Sequence, residues 1–283
     1  MLHGPEHGEF PIHGPRGVGR LPGRATCAVL YPVSLAENLF PSSVRIGARV
    51  IALHDVGDAR TFESRITRLA ARFPIRGIAE ILDGPGGPAA ALTFDDGYED
   101  WVTVALPVLR KLRIPATFFV SSGAVGLPAD EARRFREACL RRRRDLTLLS
   151  RDGLRTLAVD PLCEIGGHTT HHRDLGGDID DAEWAREVRA DKDRLENLTG
   201  QRVRYFAYPF GAARNIPSRY AARLRASGYE AAFTIMPGAI GKASDRFLLP
   251  RCPLDIKDPW FVWRTKLSGS WHRLSRLKRR VLS

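Results

Sequence analysis

Asp95 and Asp96 stand side by side in Thr93-Phe94-Asp95-Asp96-Gly97, directly after an apolar run of strand length. Consecutive strand residues point in opposite directions, so Asp96 can bind a cation while Asp95 stays free to take a proton. Taken alone, the pentapeptide reads more readily as a plain Asp-Asp-Gly turn. A second cluster, Gly167-His168-Thr169-Thr170-His171-His172, also follows a strand-like run. On a helical turn, residues four apart share a face, so His168 and His172 could offer imidazole nitrogens to one metal, with His171 a weaker competitor. Two histidines and a carboxylate with open positions suit a catalytic zinc or a non-haem iron. The iron-oxygenase reading belongs to an all-β scaffold, so a hydrolytic metal fits this chain better. The third segment, Phe206-Ala207-Tyr208-Pro209-Phe210-Gly211, runs from a strand into a Pro/Gly turn that could aim a backbone N–H at a developing oxyanion. It reads equally well as a core strand with its turn.

Positioning these clusters is the task of a repeating pattern that begins at Arg49. Apolar runs of strand length (49–56, 89–94, 116–120, 163–166, 205–208 and 231–235) alternate with helix-periodic stretches (62–73, 99–112, 182–198 and 218–226). Ser150 reads as a helix N-cap, and the arginine-rich part of the stretch after residue 120 as an exposed helix. Repeated β-then-α order predicts a parallel sheet covered by helices, open or closed as a barrel. Both chemical clusters then fall at the carboxyl ends of strands, where sites in such folds are built.

At 283 residues the chain can bury one large core, and single (β/α) barrels reach this size. Hydrophobic and charged fractions of 43% and 27% sit in the ordinary globular range and suggest neither a disordered chain nor a membrane bundle. The formal charge of +12 favours anionic partners without choosing among them, and no nucleic-acid-binding signature accompanies it. Cys27, Cys139, Cys163 and Cys252 form no CxxC pair, which fits a reducing compartment. Residues 1 to about 24 are broken by Gly and Pro and carry no secretory-signal pattern. No apolar stretch approaches the roughly 20 residues of a membrane span. Near the end, Leu267, Trp271, Leu274, Leu277 and Val281 share one helical face among basic residues. Such a tail could lie on an anionic membrane surface, or close the barrel with its charges solvated.

The three segments in this order resemble the polysaccharide deacetylase family, also called carbohydrate esterase family 4 or the NodB-homology domain, over about residues 49 to 268. The matching motifs are TFDDG, an H[ST]xxH metal pair and an R-x-P-[FY]-G segment. This resemblance implies an α/β fold, a deformed (β/α)7-type barrel with parallel strands in a single domain. It implies a hydrolase that removes N-acetyl groups from a glycan with a divalent metal, zinc by expectation. Residue by residue it makes Asp95 the catalytic base, Asp96, His168 and His172 the metal ligands, and Thr169 the residue that orders the histidine loop. The Phe210 backbone N–H matches the oxyanion donor.

Two departures stand out. Ala207 occupies the place of the third motif's arginine, and the late Leu-x-His motif that supplies an acid is missing. In the branch resembling poly-N-acetylglucosamine deacetylases, a histidine at the end of the first strand takes the acid's place, and His54 matches it. Arg251 is the candidate to replace the arginine beside Asp95, a surface charge flanking a turn being the other reading. The expected organisation is an N-terminal arm over 1–45, the deacetylase domain over 46–268 and a basic amphipathic tail over 269–283. A cytoplasmic location, peripheral to the membrane through the tail, goes with it, and nothing in the sequence sets the oligomeric state. The competing functions are an inactive glycan-binding barrel and a deacylase of a small N-acyl or glycolipid substrate.

Overall fold

A computed structural model describes residues 47–84, 87–141, 146–177 and 179–269. The expected arm, most of the basic tail and Cys27 lie outside these residues. Seven strands form the sheet: β1 (Arg49–Leu53), β2 (Ala90–Asp96), β3 (Ala116–Val120), β4 (Cys163–Gly167), β5 (Tyr205–Ala207), β6 (Ala231–Phe233) and β7 (Cys252–Pro253). Their order is β6-β5-β4-β3-β2-β1-β7, and every pairing is parallel. Every residue of β2 is buried, as a parallel sheet covered on both faces requires.

The sheet curls until its edges meet across residues 249–254. On one side, the Leu249 N–H donates to the Ala232 carbonyl (3.0 Å) and the Thr234 N–H to the Leu249 carbonyl (2.8 Å). On the other, Cys252 pairs with Ile51, and the Leu254 N–H donates to the Ala52 carbonyl (3.0 Å). This is the (β/α) barrel that the resemblance implies, and it decides between the open and closed sheets that the alternating pattern allowed. Two cores follow from the twofold alternation of strand side chains. Val50, Ala91, Phe119, Tyr205, Ala207, Phe233 and Leu249 fill one, while Leu92, Phe94, Phe118 and Trp101 belong to the larger core under the helices.

Several expected boundaries shift for local reasons. The helix expected over 62–73 is Ala59–Ala70, because the Asp58 side chain caps it by accepting the Thr61 N–H. Strand β1 stops at Leu53, short of residue 56, and β5 stops before Pro209, which has no N–H to give a ladder. The stretch 99–112 is helical from Trp101, first as a π-helical segment and then as an α-helix to Leu112. Ser150 is the N-cap expected of it, accepting the Gly153 N–H (2.9 Å). The arginine-rich stretch contains a helix from Ala129, yet Arg136 is buried and Arg141 ends it with a left-handed φ of 55°. Exposure therefore holds for Arg133 and Arg134 and fails for Arg136. The helix Ile78–Asp83 and the two-residue β7 carried no period long enough to read.

Candidate metal centre and active site

All the residues singled out from the sequence except Arg251 sit at the carboxyl end of a strand. His54 follows β1, Asp95 and Asp96 close β2, the histidine loop follows β4, Phe210 follows β5, and Arg251 immediately precedes β7. Asp96, His168 and His172 converge: one ligand atom from each lies within 4.8 Å of the others, and all three residues are buried. Asp96 Oδ1 is 3.7 Å from His168 Nε2 and 3.4 Å from His172 Nε2.

The ring tautomers are set from behind. His168 Nδ1 meets the Ala207 carbonyl at 2.7 Å and His172 Nδ1 meets the Cys139 carbonyl at 3.1 Å. A carbonyl only accepts, so each Nδ1 carries a hydrogen, and in the neutral ring this leaves the Nε2 lone pair on the side of Asp96. Burial, strengthened by the neighbouring His168, holds His172 down to about 4 against the opposing pull of Asp96, so it is neutral at pH 7. Burial also acts to lower His168, but its contact with Asp96 and the charges of Asp95 and Asp96 raise it above the usual histidine value. Two imidazoles and a carboxylate, buried and convergent, suit a divalent cation.

The histidine loop is not the helical turn expected of it. Thr169 and His172 both adopt left-handed backbone, φ 61° and 52°, and the Thr169 hydroxyl oxygen accepts the Arg173 N–H at 2.8 Å. The turn so formed brings the two imidazoles together without helical spacing. His171 points the other way: its Nδ1 is 2.8 Å from Glu187 Oε1, and its backbone N–H donates to Glu187 Oε2. Among the described residues, six non-glycines have positive φ, and Asp96, Thr169, His172 and Phe210 are four of them. Strain of about 1–3 kcal/mol per residue gathers where a site has to be held against local preference.

Asp95 points to the same side of β2 as Ala91 and Thr93 and meets Arg251. The guanidinium grips it with two bonds, Nη1 to Oδ1 at 2.6 Å and Nη2 to Oδ2 at 2.7 Å. Arg251 also donates to the Thr93 hydroxyl (3.0 Å) and to the Thr234 carbonyl (3.1 Å), over the Phe119 ring. It is only 1% exposed, which removes the surface-charge reading. Burial pushes the Asp95 carboxyl up, but Arg251 and His168 together hold it below the ordinary aspartate value. Asp95 thus has a guanidinium against it that comes from the segment just before β7, while Ala207 closes β5. The Phe210 and His172 rings meet edge-on with centroids 4.7 Å apart, and the Arg141 guanidinium lies over the Phe210 ring, 4.6 Å from its centroid. His54 is half-buried and close enough to influence the charge states of Asp95 and His172.

The family model for polysaccharide deacetylases matches residues 83–232. The chain belongs to the polysaccharide deacetylase family. Among curated polysaccharide deacetylase relatives, YxkH of Bacillus subtilis is 25% identical over 167 residues, 59% of this chain and 52% of that protein. The poly-beta-1,6-N-acetyl-D-glucosamine N-deacetylase of Escherichia coli is 26% identical over 259 residues, 77% of this chain and 37% of that protein. The chain therefore spans about half of one relative and just over a third of the other. In fold, it resembles IcaB from Ammonifex degensii (TM-score 0.59, 23% identity, 79% of this chain and 97% of that one). It also resembles a polysaccharide deacetylase from Bacillus cereus (TM-score 0.61, 19% identity, 79% and 69%).

Two supporting groups of this deacetylase-family site went unread in the sequence. Asp191, fully buried, accepts the backbone N–H of His168 and of Ser122, each at 2.9 Å. Its signal was present: Trp184, Val188, Asp191 and Leu195 follow the inner stripe of a helix, with an aspartate where an apolar residue is due. Glu187, which orients His171, precedes it by one turn. Cys139, Cys163 and Cys252 are free thiols that burial raises to about 12, 12 and 11, so none is a thiolate at neutral pH.

Proposed function

We propose that this chain hydrolyses the N-acetyl groups of an amino-sugar glycan with a divalent metal held by Asp96, His168 and His172. One observation carries the reading: the convergent aspartate and two histidines stand beside a second aspartate held ionised by Arg251, in a member of this family. The nitrogen-rich donor set favours zinc. Bound there, such a cation would polarise the acetyl carbonyl and bring the pKa of a water down toward ~7.

Asp95 takes the proton of the attacking water. A carboxylate held below its ordinary pKa is a weak base, but an acidified water asks for no stronger one, and Arg251 keeps the group ionised and aimed. The backbone N–H of Phe210, on the strained turn after β5, serves the developing oxyanion; such a preorganised donor is worth about 2.7–4 kcal/mol. His54 protonates the departing amine, the bond from carbonyl carbon to nitrogen breaks, and acetate and a free amino sugar leave. The E. coli relative's name supplies the substrate class, and the proposal includes its β-1,6-linked N-acetylglucosamine.

Acetate release from N-acetylglucosamine oligomers tests the reading, with metal content measured alongside. Asp96→Ala, His168→Ala and His172→Ala should each lose bound metal and turnover, because three protein ligands leave no redundancy. Asp95→Asn should keep the metal and lose turnover. No acetate from any N-acetylated glycan by the metal-loaded protein would overturn the proposal, and equal metal loss in all four variants would overturn the division of roles.

A further inference from the structure

We propose that Asp100 and Trp101 are positioning residues for His54, so that the single segment 95–101 carries the base, a metal ligand and the clamp that aims the acid. The inference rests on the reading of His54 given above and deepens it.

The argument starts where the β1 ladder ends. The last β1–β2 register pair is Leu53 with Phe94, and beyond it the β1 backbone has no strand partner on that side. His54 lies one residue past the last β1–β2 pair. Buried backbone groups need partners, and here the helix after β2 provides them. The Trp101 Nε1–H donates to the His54 carbonyl at 2.8 Å. Asp100 Oδ2 accepts the Val56 N–H at 2.7 Å and the Gly57 N–H at 3.2 Å. Three bonds thus bracket the histidine from residues 43 to 47 positions away in the chain.

The aspartate's own surroundings separate this role from an ordinary one. An aspartate at a helix N-terminus usually caps its own helix by accepting the N–H two or three residues on. Asp100 stands at that place, before Trp101–Ala105, and its side chain makes no such bond. Its carboxylate is spent on the His54 loop instead. Trp101 is rigid: it is fully buried and packs on the rings of Phe94, Tyr98 and Phe118 at 6.0, 6.2 and 5.3 Å. The rest of the segment is tied down as well. Tyr98 donates to Asp96 Oδ2 (2.8 Å), and Glu99 Oε2 accepts the Ser150 N–H (2.7 Å). The acid, which comes from a different strand, is thereby fixed to the same rigid piece as the base and the metal ligand.

The test compares Asp100→Ala, Asp100→Asn, Trp101→Phe and His54→Ala in the full, metal-loaded chain. Each is assayed on an N-acetylated amino-sugar oligomer and on an activated acetate ester, whose leaving group needs little protonation. Trp101→Phe removes the indole donor and keeps a ring in the core. Misplacing the acid should cost amide turnover about 10- to 100-fold and spare the ester, so the ester-to-amide ratio rises by at least about tenfold in Asp100→Ala and Trp101→Phe. The alkaline limb of the amide pH profile should change as it does in His54→Ala. Asp100→Asn, which keeps an acceptor oxygen, should restore most of the ratio. Parallel loss of both activities, or an unchanged ratio in both variants while His54→Ala raises it, overturns the clamp and leaves His54 in place. An unchanged ratio in His54→Ala removes the acid itself, and the clamp with it.

Discussion

Tyr229 buries a hydroxyl that finds no hydrogen-bond partner among the described residues, and that isolation costs stability. It lies against Gly167 at the end of β4, where an added Cβ would come inside 3.0 Å of the tyrosine oxygen. Tyr229→Phe is therefore expected to be neutral or to stabilise by up to ~1–2 kcal/mol in urea unfolding. Gly167→Ala should destabilise and move the histidine loop, and Tyr229→Phe in the same chain should recover part of that loss. A double variant no better than Gly167→Ala would show that Asp191, the other close neighbour of the added carbon, sets the limit. At this scale Asp95, Asp96, His168 and His172 were legible because each pair is local in sequence and marks a strand end. Asp191 was obscured by its setting on a helix, where a lone acid among charged residues looks solvated. Arg251 was named only as a replacement, since nothing local joins it to a carboxylate 156 residues earlier.

Elements obey the same division between local and distant causes. The helix Ala59–Ala70 begins where Asp58 caps it, and the Thr61 N–H holds the Asp58 carboxyl below its ordinary pKa. A depressed carboxyl contributes stability that is fully present above the unfolded value of about 3.9 and fades as pH falls through the folded one. Asp58→Ala should thus melt lower than the parent at pH 7, with the gap narrowing at pH 3; a gap independent of pH would remove the charge from the cap's role. The six longer strands and the principal helices were legible from their periods. The histidine loop was misread because i, i+4 spacing is the same count on a helix and on a turn. Only the left-handed backbone at Thr169 and His172, invisible in a residue list, tells them apart.

Over the whole molecule, the parallel sheet covered by helices followed from β-then-α alternation, whereas its closure did not, because two residues of β7 leave no pattern. That closing segment carries Arg251, so the ring and the site depend on one another. Arg251→Ala leaves the Asp95 carboxylate buried without its partner, a loss of about 3–5 kcal/mol in denaturant unfolding. Adding Asp95→Asn should recover part of it, and strictly additive losses would deny the coupling. The order in which the chain is made gives this arrangement a further meaning. At about 5–20 residues per second, Arg251 leaves the ribosome's catalytic centre roughly eight to thirty seconds after Asp95, 156 residues earlier. The candidate metal-ligand trio is complete in sequence by His172, yet the aspartate beside it has to wait for Arg251. Through that interval the outer edge of β1 has no partner, joined near its end by the edge of β6, and unpaired strand edges invite association with other chains. A growing chain of this protein thus carries unpaired strand edges until the segment that closes its barrel has been made.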